Sequence, residues 1–274
     1  MKRLAFILSV VLLVASLLLM ACAKPAPSPA PAPKPTGTAT PTAAPKASPT
    51  AVAPAPAATP QYGGIYRRTH TVPPRSWIPP ENPAPMAEAD AMFNYLLVTD
   101  EKGEKLYPQL ATDWKLSPDA TSLTLTLRKG VKFHDGTELN AAAVKWNMEK
   151  RKAAKLGDYE EVTSIVILDD YTVKLNLSAF KNTSLVSLWF TGGQMFSPTA
   201  YEKMGKDWAM FNPVGTGPFK FVSYERDQLL KMVRFDGYWE KGKPYLDGYY
   251  NYYFADITTL VLAFLKGDVD FVGN

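Results

Sequence analysis

Cysteine occurs once in the 274 residues, at Cys22, and histidine only at His70 and His134. A lone cysteine excludes an internal disulfide, and two separated histidines leave little from which to assemble a catalytic dyad or a metal centre. No Gly-x-Ser-x-Gly elbow, phosphate loop or His-Glu-x-x-His helix is present, so the chain reads as a non-enzyme without a cofactor. A nucleic-acid partner is equally poorly supported. Lys and Arg exceed Asp and Glu by four, and Lys2 and Arg3 supply two of those charges. No basic run concentrates the rest.

The first residues carry most of the localisation signal. Lys2-Arg3 is followed by an apolar stretch from Leu4 to Met20, interrupted only by Ser9 and Ser16, and then by Ala21-Cys22. A basic start, an apolar core and a small residue before the cut describe a secretory signal over residues 1–21. The stretch is almost long enough for a membrane span, but no stop-transfer cluster of Lys and Arg follows it. Leu19-Met20-Ala21-Cys22 resembles the bacterial lipobox. The resemblance implies that Cys22 becomes a lipidated N-terminus, anchored to the outer face of the cell membrane or in the periplasm. Multiple acyl chains give a stable anchor where one does not.

Ala23 to Pro60 is almost wholly Ala, Pro, Thr, Ser and Lys, holds half of the 24 prolines and has no aromatic residue. Such a stretch buries too little apolar surface to offset the entropy of ordering. Residues 22–61 are therefore expected to be a disordered, polyproline-biased tether of up to about 3.1 Å per residue.

The composition changes at Gln61-Tyr62-Gly63-Gly64. Leu123, Leu125 and Leu127 alternate with Thr124 and Thr126, the period of a half-buried strand, and Val131-Lys132-Phe133 reads as its continuation. His134-Asp135-Gly136 reads as a turn. Asn140 is the expected N-cap of a helix over 141–152, with Val144 and Met148 on one face and Trp146 elsewhere. Ile165–Leu168 and Tyr171–Leu177 form a hairpin pattern about Asp169-Asp170, and Phe219–Val222 with Leu230–Val233 another about Glu225–Asp227. Ile257–Lys266 has helical spacing stopped by Gly267, and Val269–Val272 reads as a short buried strand. Mixed elements without a βαβ repeat indicate an α/β fold with a mixed sheet.

Several strings then coincide, in order, with one family. They are Tyr62-Gly63-Gly64, Leu106–Trp114 (a P-x-L-A-x-x-W pattern), Leu127–Thr137, Asp170–Val173, Asn212–Lys220, Tyr238-Trp239 with Lys243-Pro244 and Leu246-Asp247, and Gly267–Asp270. Together they resemble the extracytoplasmic solute-binding proteins of ABC importers, family 5, the peptide and nickel class. The resemblance implies a type II periplasmic-binding-protein-like fold of the large peptide-binding class, with two hinged lobes that close on a solute and deliver it to a permease and its ATPase. It also implies a first-lobe core over 62–93 plus 178–274, an accessory domain over 94–177, and a second lobe missing from this sequence. A monomer, tethered to the membrane and taking a peptide or similar small ligand, is the expected form. A tethered sensor or interaction lipoprotein remains open as an alternative.

The chain departs from the family pattern in two places. Ala141-Ala142-Ala143 lacks the acidic residue of a capping box, and Pro73–Pro80 replaces the usual Asp-Pro in the loop after the first strand. Binding sites of open α/β sheets lie on loops beyond strand ends. On those loops Trp77 and Tyr159 are candidate stacking surfaces, Asn82, Gln194 and Asn212 candidate hydrogen-bonding groups, and Met195 an adaptable apolar contact.

Overall fold

The structure, a computed structural model, describes residues 59–81, 88–156 and 159–273. The leader, Cys22, most of the tether and Asn82 lie outside the described residues.

Three sheets organise the described residues. Five strands run in the order β11-β1-β10-β9-β8: β1 (Ile65–His70), β8 (Phe219–Glu225), β9 (Leu229–Arg234), β10 (Gly248–Tyr253) and β11 (Phe271–Val272). β1 is parallel to both β10 and β11, whereas β9 is antiparallel to β10 and β8, so this sheet is mixed. Four antiparallel strands, β4 (Ala111–Leu116), β5 (Ser122–Leu127), β6 (Val162–Asp169) and β7 (Thr172–Leu177), form a second sheet in the order β4-β5-β7-β6. β2 (Leu97–Thr99) and β3 (Leu106–Pro108) pair as a small ribbon.

Sequence alternation sets the inner face of the second sheet. Leu123, Leu125 and Leu127 of β5 face inward with Val173, Leu175 and Leu177 of β7, because side chains two apart share one face. Helix α2 (Ala141–Ala153) closes this core with Val144 and Met148. Its cap is the expected one: Asn140 Oδ1 accepts from the Ala143 N–H at 3.0 Å. Trp146, half-buried on another face, donates from Nε1 to Glu202.

Two expectations are corrected. Val131–Phe133 does not extend β5; Lys132 makes only an isolated bridge to Glu138 across the turn ending at Gly136. Around Val269–Val272, only Val269 is buried. The strand itself is Phe271-Val272, at the sheet edge with both side chains exposed.

A second core lies under the five-stranded sheet. It gathers Trp77, Ile78, Phe93, Phe196, Tyr201, Leu230, Met232, Tyr249 and Tyr253 with helix α1 (Ala89–Met92). Asn147 of α2 joins this region to its surroundings. Its amide donates to the carbonyls of Ala143 and Phe196 and accepts the Phe196 N–H at 2.9 Å. Helices α3 (Asn182–Trp189), α4 (Pro198–Met204) and α5 (Lys206–Ala209) carry the chain round, and α6 (Ile257–Lys266) follows β10. Asp256 caps α6 through the Thr259 N–H, and Gly267 ends it in the left-handed region at φ 82°. Among the described residues no helix is long and apolar enough to cross a membrane.

Candidate functional site

The loop Gly215-Thr216-Gly217 approaches the end of α1 so closely that only glycine fits. A Cβ on Gly215 would stand 2.1 Å from the Met92 carbonyl oxygen, and one on Gly217 2.5 Å from the Met92 carbonyl carbon. The Gly217 N–H donates to that same carbonyl oxygen at 2.9 Å. His134 secures the loop from the other side, receiving the Gly215 N–H at Nδ1 and facing the Gly217 carbonyl with Nε2 at 3.0 Å. A carbonyl can only accept, so the neutral ring carries its proton on Nε2. Burial holds its pKa down at about 4.

Asp90 lies on α1, the helix that this loop seats. Tyr95 links two neighbours: its hydroxyl donates to Asp90 Oδ1 at 2.5 Å and accepts from Gln194 Nε2 at 3.1 Å. Tyr95 is itself positioned by its N–H on Gln109 Oε1, and Gln109 in turn takes Arg128 on its backbone carbonyl. The Asp90 side chain reaches solvent, yet surrounding protein desolvates it enough to raise its pKa. The Tyr95 hydroxyl and the positive charge of Arg68 offset part of that rise. The Tyr95 hydroxyl is pushed far up by burial and by the facing carboxylate.

One face of the five-stranded sheet carries several polar side chains. Arg68 of β1 stands in register with Asn251 of β10, and Tyr66 with Tyr249. Tyr253 donates to Glu88 Oε1 at 2.9 Å. Arg68 Nε, Glu88 Oε2, Tyr249 Oη and both polar side-chain atoms of Asn251 are buried without a hydrogen-bond partner among the described residues. Tyr249 lies beside the Arg68 guanidinium without meeting hydrogen-bond geometry. Its pKa is pushed up to about 12 by burial, against the lowering effect of Arg68. Buried polar atoms are nearly always paired, so five unpaired ones together need an explanation.

The residues anticipated from the loops are not gathered in one place. Gln194, buried, joins the Tyr95–Asp90 chain. Trp77 is 3% exposed in the second core, edge-on to Tyr224 at 4.9 Å between ring centroids. Met195 is fully buried in the first core. Tyr159, also buried, has positive φ and donates from its hydroxyl to the Gly192 carbonyl. These three side chains pack the interior rather than lining an open surface. Asn212 donates to the Trp208 carbonyl and lines a small cavity of about 210 Å³ with His134, Lys220 and Phe221. Asn82 lies outside the described residues. Among the described residues no three His, Cys, Asp or Glu side chains converge as metal ligands.

Residues 105–274 match the family described as bacterial extracellular solute-binding proteins, family 5 Middle. The chain belongs to this family. Among curated relatives, the glutathione-binding protein GsiB of Salmonella choleraesuis (strain SC-B67) is 36% identical over 152 residues, covering 54% of this chain and 30% of that protein. GsiB of Shigella flexneri is 34% identical over 176 residues, covering 62% and 34%. The chain thus spans about a third of the length of these relatives. Among solved structures, the periplasmic binding protein AgaA with agropinic acid, from A. tumefaciens R10, is 32% identical with a TM-score of 0.67, over 76% of this chain and 43% of that one. DppA of Helicobacter pylori with peptide STSA superposes with a TM-score of 0.66 at 24% identity, over 78% and 47%, and shows likeness of fold.

Asp90, Tyr95, Arg68 and Asn251, whose polar groups the structure makes prominent, are residues that reading along the loops did not single out. Arg68 and Asn251 sit mid-strand, where a sequence offers them as ordinary sheet positions. The signal that was available is their alternation: Tyr66, Arg68 and His70 share a face, as do Tyr249, Asn251 and Tyr253. Polar side chains at the central positions of two adjacent inward faces mark an interior polar site.

Proposed function

We propose that the chain is the solute-capturing part of an ABC importer receptor, taking up peptides or similar small solutes outside the cell and passing them to a membrane permease and its ATPase. Family membership carries this reading. The ligands named for two relatives agree with it in kind, being glutathione and agropinic acid.

The reading includes a mature N-terminus acylated at Cys22, with the Pro-rich stretch holding a monomeric receptor off the membrane at its outer face or in the periplasm. It also assigns residues 62–93 with 178–274 to a first-lobe core and 94–177 to an accessory domain. The separate five-stranded and four-stranded sheets support that division. Capture then proceeds by lobe closure, an equilibrium that ligand contacts to both lobes bias.

Uptake measurements test the proposal. Deleting the gene in its host should abolish accumulation of at least one labelled peptide, with recovery on complementation. Undiminished uptake across di-, tri- and oligopeptides, glutathione and opines would reject it. Metabolic labelling with palmitate tests the anchor separately: wild-type chain should take up label and Cys22→Ser should not.

A further inference from the structure

Four separate stretches of chain meet around the cavity of about 210 Å³ that Asn212 lines. His134 and Asp135 come from the turn after β5, Trp208 from α5, Asn212 from the loop 212–214, and Lys220 with Phe221 from β8. The walls are tied to one another. Asn212 Nδ2 donates to the Trp208 carbonyl at 2.8 Å, and the Ser197 N–H donates to the Val214 carbonyl at 2.9 Å. These bonds hold α5 and the loop against the start of α4, so the cavity does not depend on a ligand to form it.

Two of the three titratable groups in the wall are already engaged. His134 is neutral and uses both nitrogens on the glycine loop. Asp135 accepts at Oδ1 from the Thr137 N–H at 3.0 Å and the Thr137 hydroxyl at 2.6 Å, and at Oδ2 from the Ser197 hydroxyl at 2.5 Å. Lys220 differs: it makes no hydrogen bond or ion pair among the described residues. The rest of the wall is apolar, with half-buried Trp208 and Phe221 beside Pro213 and Val214. A cavity of about 150 Å³ already admits benzene, so this one has room for one ring or branched chain and a small charged group. Lys220 sets the sign of that group, since its ammonium is the one open charge and the facing carboxylate already takes three hydrogen bonds.

We propose that this cavity binds a small carboxylate with a compact apolar body, the carboxylate paired with Lys220 and the body packed against Trp208 and Phe221. Asn212 and Ser197 are positioning residues that hold the two walls in place. The site lies wholly within this chain, and its occupation does not rest on the importer reading.

Benzoate is the probe, added near neutral pH to the chain labelled with 15N-tryptophan. It should shift the Trp208 Nε1–H resonance, identified by its absence from Trp208→Phe, saturably in the millimolar range. Benzamide, alike in shape but uncharged, should need about tenfold more, the loss of roughly one charged contact. Lys220→Met keeps the length of the stem at an exposed position of an edge strand, so the fold should persist. It should weaken benzoate to the level of benzamide and leave benzamide unchanged, and Lys220→Arg should restore the preference for benzoate. Saturation transfer from protein to benzoate gives a second reading of the same affinities. No saturable response, equal affinities for benzoate and benzamide, or benzoate affinity unchanged in Lys220→Met would each overturn the site. Equal weakening of both ligands by Lys220→Met would also overturn it, because the lysine would then act through its stem and not its charge.

Discussion

His134 Nε2 stands 3.0 Å from the carbonyl oxygen of Gly217, joining the turn after β5 to the glycine loop that seats α1. Its other nitrogen accepts the Gly215 N–H, so a second ring proton would meet a donor and break the clamp.

Acid should therefore destabilise the fold through His134. Its folded pKa is depressed by burial from 6.5 to about 4, so the unfolded chain takes up the proton first. The stabilisation is complete above about 6.5 and is lost as pH falls from there through the folded value. It amounts to about 3 kcal/mol at most. Urea midpoints across pH 4 to 7 should fall more steeply for wild type than for His134→Gln, and parallel curves would refute the assignment.

Glycine loop packing gives a second expectation. Gly215→Ala must displace the Met92 backbone, not a flexible side chain, and should cost about 2 kcal/mol or more. Gly103→Ala is the control for backbone conformation alone: its φ is positive, at 70°, but open space surrounds it. It should cost about 1 kcal/mol. Equal losses in chemical denaturation would show that the close approach to α1 is not the constraint.

Asn147 should behave as a structural strut. Replacing it with Ala leaves the Phe196 N–H and carbonyl without the partners they have now, at a cost of about 2 to 3 kcal/mol. Thermal unfolding should shift down clearly, and a near-unchanged melting temperature would mean water replaces the amide.

Tyr95→Phe removes the hydrogen bond that partly offsets the desolvation of Asp90. The Asp90 pKa, already raised, should rise further, and the carboxyl 13C resonance followed by titration should show it. A fall would contradict the geometry.

Helix α6 separates exposure from burial along one apolar run. Leu260 is buried, whereas Leu262 and Leu265 are exposed. Leu260→Ala should cost about 2 to 4 kcal/mol. Leu265→Ala should stay within about 0.5 kcal/mol. Denaturant unfolding of the two variants decides it.

Much of the local structure was legible because it depends on neighbours in sequence. The Leu-Thr alternation of β5, the Asn140 cap and the Gly267 stop each follow from contacts within a few residues. β10 was not legible. Gly248–Tyr253 is an aromatic and polar string with no contrast between its faces, and only its place between β1 and β9 buries Tyr249, Asn251 and Tyr253. Phe271-Val272 failed in the opposite sense: apolar residues normally mark an interior strand, but the sheet ends there and leaves both exposed.

The sequence by itself determined the α/β class, the family strings and the periodic elements, since these are carried by residue type and short spacing. Tertiary structure alone decided that Trp77, Tyr159 and Met195 turn inward and that Gln194 reaches Tyr95, 99 positions away along the chain. It also decided that Arg68 stands in register with Asn251 of β10. Charge and hydrogen-bond demand belong to single residues, but whether they are met depends on which distant strand or loop the fold brings beside them.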